Sequence, residues 1–110
     1  MARVARPSSA RVKKVGAEKI AVENVNHPGR TENVDARKYA LARAAMLDLL
    51  PKKAPGMTQH EMMLAMRDAL PLDVFPGTTT SWWAKCVQLD LEAKALVMRD
   101  AGKPLRWRRV

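Results

Sequence analysis

Hydrophobic positions recur at three- and four-residue steps in three stretches of the chain and alternate with polar ones in two more. Tyr39, Ala42, Met46, Leu49 and Leu50 form the first stripe of helical period. It predicts a helix from about Asp35 to Leu50, capped by Asn33 or Asp35 and ended by Pro51. The second stretch opens on Thr58-Gln59-His60-Glu61. A threonine followed three residues later by a glutamate is a capping box, because each side chain satisfies the other residue's free amide. Met57 and Met62 flank it where a hydrophobic staple would join them, and Met62, Met63, Met66, Ala69 and Leu70 make the apolar side. Pro71 stops this helix. The third helix is expected from about Ser81 to Ala95, capped by one of Thr78, Thr79, Thr80 or Ser81. Trp82, Trp83, Cys86, Val87, Leu89, Leu91 and Ala93 cover about half its circumference. Ser81, Ala84, Lys85, Gln88, Glu92 and Ala95 hold the rest, a narrow polar face.

Alternation marks the end of the chain. Leu96 to Arg99 and Pro104 to Val110, joined by a loop with Gly102, predict a β-hairpin. Leu105 and Trp107 share one face; Arg106 and Arg108 share the other. Near the start, Lys19 to Asn26 reads as a short edge strand or an extended segment, before a turn at His27-Pro28-Gly29-Arg30. The sum is a mainly α chain with a C-terminal β-hairpin, a winged-helix-like three-helix core over residues 19–110. Residues 1–18 read as a disordered basic arm. The connection from Pro71 to Thr80 is longer than the tight turn of a helix-turn-helix.

Charge changes the picture next. Twenty basic and eleven acidic side chains give a net +9, which favours polyanionic partners. Residues 1–30 carry seven basic groups against two acidic, so over half the excess lies in the first thirty residues. The single cysteine, Cys86, excludes an internal disulfide and a cysteine-built zinc site. No apolar run reaches the ~20 residues of a membrane span, and no signal peptide is evident, so a cytoplasmic location is expected.

Candidate chemistry is sparse. Lys85 and Gln88 on the polar face of the third helix, with Arg99, Lys103, Arg106, Arg108 and Arg109 on the hairpin, form a candidate nucleic-acid-binding surface. Lysine and arginine contact phosphates, and a helix-borne glutamine reads a base edge. Glu92 on the same face opposes this, and the plainer account is a solvated helix face and a hairpin edge kept soluble by charge. Trp82, Trp83 and Trp107 are expected in the core, with one of the adjacent pair partly exposed. Asp90 falls inside the apolar sector, where a carboxylate needs a partner; Lys94, Arg106 and Arg108 are candidates for a structural salt bridge. His27 and His60 stand alone, and Cys86 reads as an inert core thiol. No enzyme, cofactor or metal is expected. The partners anticipated are DNA or RNA or, alternatively, a second copy of the chain meeting it through the first helix and Leu41. No membrane or small-molecule substrate is foreseen.

Several strings resemble a family of small, uncharacterised bacterial proteins known only as a domain of unknown function. They are HPGRTENVDARKY (His27 to Tyr39), FPG (Phe75 to Gly77), WWAK (Trp82 to Lys85), VQLDLEAK (Val87 to Lys94) and PLRW (Pro104 to Trp107). The resemblance spans about Lys19 to Arg109. It implies a cytosolic single-domain protein with no catalytic residues to carry over. Ala95 stands where the family usually has glycine, which argues against a glycine-style end to the third helix.

Overall fold

A computed structural model describes residues 18–110. The basic arm expected over residues 1–18 therefore lies, Glu18 apart, outside the described residues.

The chain enters through a hairpin. Strand β1 (Lys19–Glu23) pairs antiparallel with β2 (Thr31–Asp35), from Lys19 opposite Asp35 to Glu23 opposite Thr31. The expected edge strand is thus half of a two-stranded sheet. The second half is not marked in the sequence pattern, because Glu32, Asn33 and Asp35 are residue types that disfavour strands. Gly29, at φ 88°, supplies the left-handed residue that the connecting turn needs. Val22 and Val34 are buried, while Ile20 remains 37% exposed.

Helix α1 (Ala36–Leu49) follows at once. Asp35 caps it, its Oδ1 accepting from the Lys38 amide at 2.9 Å. Tyr39, Ala42, Met46 and Leu50 are buried in one stripe. Beyond Pro51 the chain runs beside the C-terminal hairpin. Met57 exchanges two backbone hydrogen bonds with Trp107, each 2.8 Å. Gly56 permits that approach, since a Cβ there would lie 2.0 Å from the Trp107 carbonyl oxygen.

Helix α2 (Gln59–Ala69) starts with the expected capping box: Glu61 N–H donates to Thr58 Oγ1 at 3.1 Å, and Thr58 N–H to Glu61 Oε1 at 2.9 Å. Met62, Met66 and Leu70 are buried; Ala69 is exposed.

Helix α3 (Thr79–Ala93) begins two residues before the expected start, and no side chain caps it. Thr79 Oγ1 instead donates to the Pro76 carbonyl at 2.7 Å, tying the helix to the preceding turn. Its far end keeps the glycine-style stop that Ala95 had argued against. Ala95 takes φ 61°, its N–H donates to Glu92 at 3.1 Å, and the Leu96 N–H donates to Leu91 at 2.9 Å. This is a Schellman motif with alanine in the left-handed position.

Strands β3 (Val97–Asp100) and β4 (Arg106–Arg109) close the chain as the expected hairpin, from Val97 opposite Arg109 to Asp100 opposite Arg106. Trp107 is buried; Leu105 lies before the strand and is 42% exposed. The fold is mixed α/β: three helices flanked by two small antiparallel hairpins. Phe75, edge-on to Trp83 at 6.1 Å, joins Val87, Leu91, Met46, Met62 and Met66 in the core.

Candidate nucleic-acid interface

Helix α3 is covered along much of its length by α1, α2 and the N-terminal hairpin. Its free surface lies in its first half, where Trp82 and Lys85 are exposed and Ser81 half-exposed. Trp82, 49% exposed, rests edge-on against buried Trp83, with ring centres 5.1 Å apart. One tryptophan of the pair is therefore deep and its neighbour open, as the 100° step between adjacent helix positions requires.

Gln88 is not on that surface. It is 1% exposed, so the expectation that it reads a base edge is corrected. Its Oε1 accepts from Gln59 Nε2 at 3.3 Å, and its Nε2 donates to Glu92 at 3.1 Å. The polar strip narrows because α2 and β4 lie over the second half of the helix. There Glu92 also accepts from the indole Nε1 of Trp107 at 2.8 Å and from Arg99 at 3.1 Å.

Four of the hairpin's five basic residues are engaged within the protein. Arg99 pairs with Glu92 and covers the Trp107 ring, 5.2 Å from its centre. Arg106 donates to the Gly56 carbonyl at 3.0 Å and pairs with Glu61 at 3.3 Å. Arg108 pairs with Asp100 at 2.9 Å and donates to the Lys52 carbonyl. Arg109 donates to the Leu50 carbonyl at 3.0 Å. The four arginines expected to contact phosphate are thus each held by a partner within the domain. Of the seven candidate residues, Lys85 and Lys103 are exposed and belong to no ion pair among the described residues.

Asp90 is fully buried, as its place on the helix implied, but neither Arg106 nor Arg108 reaches it. Its carboxylate accepts from the Tyr39 hydroxyl, from Lys94 Nζ at 2.7 and 2.9 Å, and from the Glu23 amide at 2.9 Å. It thus fastens α1 and the N-terminal hairpin to α3, rather than the C-terminal hairpin. Burial, then the adjacent carboxylate, raises the Tyr39 pKa. Burial works against the Lys94 ammonium, but the hydrogen bond and charge of Asp90 outweigh it, and its pKa too is raised. Cys86 is pushed up to about 11, chiefly by burial, then by Asp90 and Glu32, which suits an inert thiol.

Two clefts flank Lys85. A smaller one, about 270 Å³, lies against α2 and includes Gln59, His60, Ser81 and Gln88. A larger one, about 390 Å³, lies between α3 and the N-terminal hairpin. Trp82, Lys85, Cys86 and Leu89 line it from the helix, and Glu23, His27, Arg30 and Glu32 from the hairpin. The hairpin residues were not singled out as a group from the sequence. Reading the His27-Pro28-Gly29-Arg30 turn as a hairpin loop would have brought them together. Among the described residues no three of His, Cys, Asp and Glu gather as a metal ion would require, and no helix is long and apolar enough to cross a membrane.

These features define a small mixed α/β domain whose third helix presents a tryptophan and a lysine between two clefts. The chain belongs to a family of unknown function, DUF6958, whose sequence model matches residues 19–107. No curated protein and no solved structure matches the chain.

Proposed function

We propose that this domain is a non-enzymatic, winged-helix-like module that binds nucleic acid through the first half of α3 and the tip of the C-terminal hairpin. The pairing of Met57 with Trp107 supports the fold assignment. It bridges the connection between α1 and α2 to β4, so the order from α1 on becomes helix, bridging segment, helix, helix and hairpin. In that plan α3 is the recognition helix and the β3–β4 loop is the wing. The functional step is carried by one observation: Lys85 stands exposed beside Ser81 and Trp82 near the start of α3, free of any ion pair among the described residues. The N-terminal part of a recognition helix is where phosphate and base contacts concentrate. Lys103, in the wing loop, adds a second free cation, and Arg3, Arg6, Arg11, Lys13 and Lys14 add charge ahead of the domain.

The test is binding of the full chain to single-stranded and duplex DNA across a salt series. Affinity should fall steeply with salt. Replacing Lys85 and Lys103 together by glutamate should weaken binding by about tenfold or more and flatten the slope by about two. An unchanged slope in that double variant would reject the surface.

Exposed Leu41 on α1, at 36%, favours a second reading as a homodimeric interaction domain. Sedimentation at tens of micromolar decides it: a dimer that Leu41→Glu dissociates supports it, and a monomer ends it.

A further inference from the structure

We propose that the cleft between the N-terminal hairpin and α3 receives one unpaired nucleobase of a single strand, with Trp82 as stacking platform and Glu32 as acceptor for the base's exocyclic amine. The inference rests on the nucleic-acid reading above and deepens it. It turns on the cleft rather than on the helix face.

Three observations carry it. First, Trp82 is 49% exposed at a cleft in a domain whose other two tryptophans are buried. Its edge-on contact with Trp83, at 83° between ring planes, holds the indole in place and uses at most one of its faces. A fixed, half-open indole is a stacking surface for any flat ring. Second, the cleft is about 390 Å³, within the range of sites that enclose small ligands. A base in a duplex is stacked on both faces and paired along its edge, so only an unpaired or extruded base could enter.

Third, the lining carries both signs. Arg30 and Lys85 are cations, and Glu23 and Glu32 are anions. None of the four belongs to an ion pair among the described residues. A plain phosphate site would exclude the carboxylates, and a site for a cation would exclude the basic pair. A nucleotide satisfies both, because its phosphate is anionic while cytosine, adenine and guanine present amine hydrogens. A carboxylate accepts from such an amine. Thymine lacks one, so the site should discriminate against it.

The experiment uses the full chain, oligo(dC), oligo(dT) and a duplex of the same length at one fixed salt concentration. Binding is followed by tryptophan fluorescence and by anisotropy of labelled DNA. Oligo(dC) should quench the fluorescence and bind several-fold more tightly than oligo(dT) or duplex. Trp82→Ala should weaken oligo(dC) binding by roughly tenfold. Trp82→Phe, which keeps a stacking face, should retain most of the affinity, separating lost stacking from a damaged fold. Glu32→Ala, which removes the acceptor, should erase the preference for cytosine. Equal affinity of the wild-type chain for oligo(dC) and oligo(dT), or unchanged oligo(dC) affinity in Trp82→Ala, overturns the base subsite. If binding still depends on Lys85 in that case, the nucleic-acid reading stands without it. A wild-type chain that binds none of the three probes overturns both.

Discussion

Ala95 holds a left-handed backbone at φ 61°, a conformation that costs a residue with a Cβ roughly 1 kcal/mol. The Schellman hydrogen bonds of Leu96 and Ala95 keep it there. Ala95→Gly should therefore stabilise the domain by about 0.5–1 kcal/mol, read as a higher urea midpoint with an unchanged slope. At Asp90 a different kind of balance holds. The folded protein binds the Tyr39 and Lys94 protons more tightly than the unfolded chain does, since both pKa values are raised above their ordinary 10.0 and 10.5. Stability from these groups is fully present below about pH 10 and is lost as the pH rises through the raised values. Urea midpoints should be level up to about pH 9 and fall by about pH 11, with a shallower fall in Tyr39→Phe. A flat profile through that range would contradict the assignment.

At the scale of elements, the C-terminal hairpin is fastened by its own arginines. Arg99 reaches Glu92 on α3, Arg106 reaches Glu61 on α2, and Arg108 ties β4 to Asp100 on β3. The Arg99 and Arg108 pairs are partly solvated, so each contributes about 0.5 kcal/mol; Glu61 is open to water, and its pair with Arg106 adds little. Arg99 adds its cover over the Trp107 ring. Neutralising Arg99 and Arg108 together should lower stability by about 1 kcal/mol, seen as a lower melting temperature. At a temperature where the variant stays folded, its affinity for DNA should change much less than that of the Lys85 and Lys103 variant. Helix α2 shows the opposite economy. Its start is secured by two hydrogen bonds within four residues, and the backbone hydrogen bond from Thr58 holds the Glu61 carboxyl below its usual range.

Across the whole molecule, net charge proved a coarse guide. Residues 18–110 hold fifteen basic and eleven acidic side chains, and several of the basic ones are spent on internal pairs. What distinguishes the surface is where free charge lies beside an open aromatic ring, at Lys85 and Trp82. That site depends on the N-terminal hairpin, which Asp90 pins against α3 through the Glu23 amide. The hairpin that precedes α1 thus supplies one wall of a cleft whose other wall is sixty residues away in sequence, roughly the span from Val22 to Trp82.

The features that could be read from residue order alone are those made by neighbours in the chain. The stripe from Tyr39 to Leu50, the capping box at Thr58 and Glu61, the prolines after α1 and α2, and the alternation around Trp107 all arise within a few residues. Local sterics and local hydrogen bonds suffice for them. The Tyr39 and Glu23 partners of Asp90, the burial of Gln88 and the tethering of the arginines came only with the fold. Each is set by what another segment lays over that residue, and helical period says which way a side chain points without saying what it meets there.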